Sequence, residues 1–274
     1  KLPPSALEHD SDICIQSAHK TLPALTQGAY LHVKGSRVDV EKIRYNLNIL
    51  QTSSPSYLVM AFLDISRAIM EKEGKQIMDF LLEDIEELHK SINDNTRFKI
   101  LSKNNFKSGD LDKTRVVINT KNYGLSGFNV ESILRNQYNI QVEMADLYNI
   151  VCITTNANRG QDLKNLRNAL VEINENYNNS LPLPDIYIER GKIPEQKVKL
   201  SEVMHKNFKR KKLTEACGMV SRRMITPYPP GVPAICPGEV ITENIIQNIM
   251  RTLESGGNVN GVYDGLEVEV LTSL

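Results

Sequence analysis

Apolar residues fall at Val40, Ile43, Leu47 and Leu50, a three-to-four-residue spacing that predicts a helix over residues 38–50. The same spacing returns at Leu58, Phe62, Ile65 and Ile69 and again at Ile77, Phe80, Leu81, Ile85 and Leu88. It predicts a long helical region over residues 57–92 with a break at Gly74. Ahead of these helices, residues 12–16 and 28–33 are short runs of β-formers on either side of an aperiodic segment, as two strands around a loop would be. After Asn93-Asp94-Asn95 the pattern alternates, with strands expected over residues 115–119, 140–143 and 150–154 and helices over 130–137 and 161–174. That order is the mark of a small α+β domain. Residues 174–194 hold three prolines, paired asparagines and a glycine and read as a linker. A further unit opens near Lys199 with an expected helix carrying Lys206, Lys209, Arg210, Lys211 and Lys212. Gly256-Gly257 and Gly261 then separate a last helix from a strand over residues 266–271.

Charge narrows the function classes. The 33 basic and 33 acidic side chains cancel, so the overall field steers the chain toward neither nucleic acid nor an anionic membrane. The basic run is flanked by Glu202 and Glu215, and Phe208 is the only aromatic within it for base stacking, so it reads as a solvated face. No apolar run approaches the ~20 residues needed to cross a bilayer, and residues 1–20 lack the basic-then-apolar order of a secretory signal. Cys14, Cys152, Cys217 and Cys236 form no C-x-x-C pair, which argues against a zinc site and against a disulfide framework. A soluble, cytoplasmic protein without a structural metal is expected. Glu143 and Asp146 stand close enough to raise the question of an acid/base pair, but a strand end and a turn carboxylate explain them as well.

The candidate chemistry lies between the first two strands, in Gln16-Ser17-Ala18-His19-Lys20-Thr21-Leu22-Pro23-Ala24-Leu25-Thr26-Gln27. A lysine on a turn directly after a strand, with a hydroxyl and an imidazole within three residues, has the parts for capturing an aldehyde cofactor that carries a phosphate. The amine must be deprotonated to attack the aldehyde, and the other two groups are phosphate donors. A solvated turn lysine and a core histidine are the competing readings.

Three ordered blocks decide between them. Leu2-Pro3-Pro4-Ser5-Ala6-Leu7 with Ser17 to Gln27 resembles the pyridoxal 5'-phosphate (PLP) lysine segment of the bacterial ornithine/lysine/arginine decarboxylases. Thr52-Ser53-Ser54-Pro55-Ser56-Tyr57 resembles that family's Ser/Thr-rich loop. Pro227-Tyr228-Pro229-Pro230-Gly231-Val232-Pro233-Ala234-Ile235-Cys236-Pro237-Gly238-Glu239 resembles its C-terminal signature. The resemblance implies a mixed α/β and α+β architecture: residues 1–95 as the C-terminal part of an aspartate aminotransferase-like PLP domain, 96–176 as a small α+β domain, 177–198 as a linker and 199–274 as a C-terminal decarboxylase domain. It implies Lys20 as the cofactor lysine and Ser17 and His19 as phosphate ligands. Thr52 is implied as a phosphate ligand for the neighbouring subunit of a homodimer or larger homo-oligomer, and Tyr228 and Glu239 as contacts to a basic amino-acid substrate. For Thr52 to Ser54, capping the helix at Tyr57 is a second reading.

The family's Asp-x-Ala-His segment, whose aspartate pairs with the pyridine nitrogen and whose histidine stacks on the ring, occurs nowhere in the 274 residues. The expectation is therefore a C-terminal fragment, inactive alone. Alternatives are transamination, for which Arg115 and Arg159 are the available carboxylate-gripping candidates, and a non-catalytic assembly or regulatory module.

Overall fold

The structure is a computed structural model and describes residues 2–158, 160–184, 193–228 and 230–273. Two positions singled out from the sequence, Arg159 and Pro229, lie outside the described residues. The elements run β1 (Ile13–Ser17), β2 (Ala29–Val33), α1 (Val40–Leu50), α2 (Tyr57–Asn95), β3 (Lys99–Ile100), β4 (Arg115–Asn119), α3 (Gly127–Tyr138), β5 (Met144–Ala145), β6 (Asn149–Ile153), α4 (Gly160–Tyr177), α5 (Leu200–Val203), β7 (Phe208–Lys212), β8 (Thr226–Tyr228), α6 (Glu243–Glu254), β9 (Asn258–Asn260) and β10 (Glu267–Leu271). Strands β3, β4, β6 and β5 form a sheet in that order, and the other strands pair as β1-β2, β10-β7 and β8-β9. The chain divides into two compact units, residues 1–117 with 152–176 and residues 118–151 with 177–274.

In the first unit, β1 and β2 are an antiparallel hairpin in the register Ile13↔Val33 to Ser17↔Ala29. Asp39 caps α1 by accepting the Glu41 and Lys42 N–H groups. Ser56 caps α2 by accepting the Val59 N–H at 3.4 Å, so the cap belongs to Ser56 and not to Thr52 to Ser54. Helix α2 runs unbroken through 39 residues, and Gly74 is buried within it. An added Cβ there would stand 2.9 Å from Met70 Cε. That atom is the flexible end of a side chain in the same helix, and burial of Leu81, Leu82, Ile85, Leu88 and Ile92 beyond it outweighs the glycine's penalty of roughly 1 kcal/mol in a helix. The core of the unit joins Leu81, Leu82, Ile85, Leu88 and Ile92 of α2 with Phe98, Ile100, Val116, Leu166, Leu170 and Ile173. Earlier apolar positions of α2, among them Leu58, Met60 and Ile65, are exposed.

In the second unit, Ser126 and Asn129 close a capping box on α3, and Asn139 in the left-handed conformation ends that helix. The Ile140 N–H then bonds back to Leu134 O, and the first bond to the partner strand is from the Glu143 N–H to Val151 O at 2.9 Å. The strand begins at Met144, opposite Val151, later than the sequence pattern predicts. Asp146 is a turn carboxylate that accepts the Tyr148 and Asn149 N–H groups at 2.7 and 2.8 Å.

The basic run is a strand, not a helix. Residues 208–212 form β7, paired with β10 so that Lys212 faces Glu267 and Arg210 faces Glu269. The Arg210 guanidinium lies over the Tyr263 ring at 4.0 Å and Lys211 pairs with Glu215 at 3.4 Å. Helix α4 continues to Tyr177, beyond the expected start of the linker. The core here gathers Leu213, Ile225, Ile235, Ile241, Ile246, Ile249, Val268 and Val270.

Candidate functional site

Lys20 sits on the turn that follows β1, in an exposed position, with Ser17 exposed at the end of the strand. Ala18 between them is buried and anchors the turn. Its N–H donates to Gly28 O at 2.9 Å, and its carbonyl accepts the Thr21 and Leu22 N–H groups at 3.2 and 2.8 Å. The Gly28 carbonyl organises the loop a second time. His19 Nδ1 donates to it at 3.0 Å, which leaves Nε2 as the ring nitrogen for another partner.

The hairpin is tied to α2. Tyr30 Oη donates to Leu63 O at 2.6 Å, and a Cβ on Gly28 would stand 3.1 Å from Leu63 Cδ2. Sequence reasoning counted Gly28 only as the start of a strand. The adjoining Gln27, at φ +74, marks a tight return that no short motif reveals.

Thr52 lies in the exposed loop before α2. Its Oγ1 accepts the Ser54 N–H at 3.2 Å, and no acceptor for its own proton appears among the described residues. Ser17, His19, Lys20 and Thr52 all belong to the first unit. A cavity of about 610 Å³ in that unit is lined elsewhere, by Glu86, His89, Lys103, Lys113 and Arg115 among others. Its rim is closed by internal pairs, Lys113 with Glu86 at 2.7 Å and Lys103 with Asp110 at 2.5 Å. His89 there is held on both sides, by Leu101 O at 3.0 Å and by Asn93 Nδ2 at 3.1 Å.

Tyr228 and Glu239 belong to the second unit. The segment between them folds back on itself, with the Ile225 N–H on Ile235 O at 3.0 Å and the Gly238 N–H on Ser221 O at 2.7 Å. Gly238 has φ +88, and an added Cβ would collide with Val198 O, so both space and backbone demand glycine there. Glu239 Oε2 accepts the Cys236 N–H at 2.6 Å and closes this turn. Tyr228 is 56% exposed at the end of β8.

The chemistry of the loop fits PLP. Lys20 supplies the amine for an aldehyde, Ser17 a hydroxyl and His19 an imidazole whose second nitrogen is open to a phosphate oxygen. Arg115, one of the two transaminase candidates, donates from Nη1 to Thr114 Oγ1 at 3.1 Å.

Two family models match the chain: "Orn/Lys/Arg decarboxylase, major domain" over residues 4–114 and "Orn/Lys/Arg decarboxylase, C-terminal domain" over residues 192–270. The chain is similar to the arginine decarboxylase of Bacillus subtilis (strain 168), with 32% identity over 268 residues that cover 96% of this chain and 55% of the relative. It is also similar to the inducible lysine decarboxylase of Escherichia coli (strain K12), at 24% identity, covering 93% of this chain and 46% of that protein. Among solved structures, the Francisella novicida lysine decarboxylase superposes with a TM-score of 0.75 at 20% identity, covering 94% of this chain and 49% of the other. The chain thus spans about half the length of the curated relatives it matches. Two models of one family, in the family's own order at the two ends of the chain, establish that it belongs to the Orn/Lys/Arg decarboxylases.

Proposed function

We propose that the protein takes part in PLP-dependent decarboxylation of a basic amino acid, arginine, lysine or ornithine, in the cytoplasm, as a homodimer or larger homo-oligomer. Residues 1–95 then contribute the C-terminal part of an aspartate aminotransferase-like PLP domain, residues 96–176 a small α+β domain, and residues 199–274 the decarboxylase C-terminal domain. The observation that carries the reading is the loop after β1, where Ser17, His19 and Lys20 stand together on a turn organised by the Gly28 carbonyl. Membership of a family whose relatives are named arginine and lysine decarboxylases supports the substrate class.

In this reading Lys20 Nζ would be the amine that holds the cofactor's aldehyde. Ser17 Oγ and His19 Nε2 hold the phosphate, joined by Thr52 from the neighbouring subunit. Once bound, PLP supplies the electron sink that lets the Cα to carboxylate bond break. Lys20 Nζ then returns a proton to the former Cα. Tyr228 supplies substrate contact through its exposed ring. Glu239 supplies it through Oε1, the oxygen that the Cys236 N–H leaves open.

Borohydride reduction of the full-length protein with PLP, followed by peptide mapping, tests the assignment. The pyridoxyl group is expected on Lys20, and a label on another lysine overturns it. Lys20→Ala is expected to abolish turnover and leave the fold intact, since Lys20 is exposed and outside the core.

A further inference from the structure

Tyr228 shares a cavity with a carboxylate, and that carboxylate is Asp264 rather than Glu239. The space, of about 540 Å³, lies wholly within the second unit and is framed by Tyr228, Asn258, Asn260, Tyr263 and Asp264, with Leu253 and Val262 as apolar wall. The pairing Tyr228↔Asn258 and Thr226↔Asn260 puts the two amides and the Tyr228 ring on one face of the β8-β9 ribbon. We propose that this cavity is a binding site for a small organic cation, an alkylammonium or alkylguanidinium.

The donor and acceptor inventory selects that class. No lysine, arginine or histidine lines the cavity, so an anion would find no counter-charge. The acceptors are idle. The side chains of Asp264, Asn258 and Asn260 and the Tyr228 hydroxyl, all exposed, make no hydrogen bond within the described residues. The nearby carboxylate of Glu269 is spent by contrast on Arg222, Arg223 and Tyr263, and Glu239 lies outside the lining. Polar groups without internal partners that converge beside apolar side chains, here Leu253 and Val262, give a small molecule both orientation and contact area.

One aromatic wall already carries a cation. The Arg210 guanidinium lies 4.0 Å from the Tyr263 ring centroid, and Tyr263 is fixed by its bond to Glu269 at 2.8 Å. The exposed Tyr228 ring is the π-face left for a ligand cation, and Asp264 is its counter-ion. The loop that presents Asp264 is bent through Gly265 at φ +77 and Leu266 at φ +60. Left-handed backbone at a leucine persists where the surrounding structure imposes it, and here the Leu213 N–H holds Leu266 O at 2.7 Å.

Titration of the full 274-residue chain with 1,5-diaminopentane and with agmatine, followed by amide chemical shifts without PLP, tests the site. Saturable binding is expected, with shifts centred on residues 258–266. Asp264→Asn is expected to weaken it about five-fold, the scale of one exposed ion pair. Tyr228→Leu should weaken it further, whereas Asp264→Glu should retain it. Asp264 is exposed, so its replacement leaves the fold in place. The proposal is overturned if pentane-1,5-diol binds as well as the diamine, if Asp264→Asn leaves the affinity unchanged, or if no saturation appears up to about 10 mM. Because the titration involves neither PLP nor Lys20, its outcome is separate from that of the borohydride experiment.

Discussion

His19 Nδ1 and the Gly28 carbonyl oxygen lie 3.0 Å apart, so the imidazole beside Lys20 is oriented by the backbone of the strand that follows it. That backbone tolerates no side chain at Gly28. A Cβ would stand 3.0 Å from Leu25 O and 3.1 Å from Leu63 Cδ2. Gly28→Ala is expected to cost about 1–3 kcal/mol, as overpacking does, and to displace the carbonyl that fixes His19. PLP retained by the full-length protein after gel filtration should fall several-fold. If Gly28→Ala holds PLP as the parent does, the Gly28 carbonyl does not position His19 for the phosphate.

Glu269 gives a pH dependence. Its carboxylate is buried, which by itself raises the pKa, but hydrogen bonds from Arg222, Arg223 and Tyr263 outweigh burial and hold it down at about 2. A folded-state value below the ordinary 4.5 means stability that is fully present above that pH and lost as pH falls toward about 2. Glu269→Gln is expected to cost about 3 kcal/mol or more at pH 7, because Arg222 stays 14% exposed without its partner. The variant should also show a flatter decline of stability between pH 4.5 and 2 in urea titrations. An unchanged slope there would mean that another carboxylate governs acid unfolding.

The four thiols should separate by accessibility. Cys217 is exposed and Cys152 buried, and burial pushes the Cys152 thiol up to about 12. At pH 8, iodoacetamide is expected to modify Cys217 early and Cys152 only after unfolding, read by mass spectrometry of the intact and digested chain. Early modification of Cys152 would show that β6 opens far more readily than its burial implies.

The 274 residues contain no Asp-x-Ala-His segment to pair with the pyridine nitrogen and stack on the ring. Carbon dioxide release from L-arginine, L-lysine or L-ornithine by this chain with PLP is therefore expected to be at background. Clear turnover would place the electron-sink groups among the residues described here.

The legible parts of the fold were those with a local cause. The strand over Arg115–Asn119 follows from its own β-branched residues, and α2 from the apolar spacing on either side of Gly74, although the break expected at that glycine does not occur. The basic run misled because residues 208–212 take their backbone partners from residues 267–271, some 55 residues later, and cross-strand pairing leaves no local trace. The strand expected over residues 140–143 starts later because the helix end at Asn139 takes up the Ile140 N–H, and bonding to the neighbouring strand begins only at Glu143. At the candidate site, the turn that carries Lys20 was readable from its flanking strands. The Gly28 carbonyl was not, since any residue supplies a carbonyl. Asp264 was invisible for the same reason that the basic strand was misread: β8 and β9 meet only in space.

Thr52 is expected to serve the neighbouring subunit rather than its own. Helix α2 is capped by Ser56, so Thr52 is relieved of that role, and its exposed hydroxyl accepts only the Ser54 N–H at 3.2 Å. Thr52→Ala should then change stability by no more than about 0.5 kcal/mol, as surface substitutions do, while weakening PLP binding. Mixing full-length Lys20→Ala subunits with Thr52→Ala subunits separates a shared site from a private one. If Thr52 reaches across, each hybrid dimer holds one site with both defects and one with neither, and activity reappears on mixing. If it acts within its own subunit, every site in the hybrid keeps one defect. Mixtures that never exceed the two variants measured apart, despite demonstrated subunit exchange, would remove Thr52 from the partner's phosphate cradle.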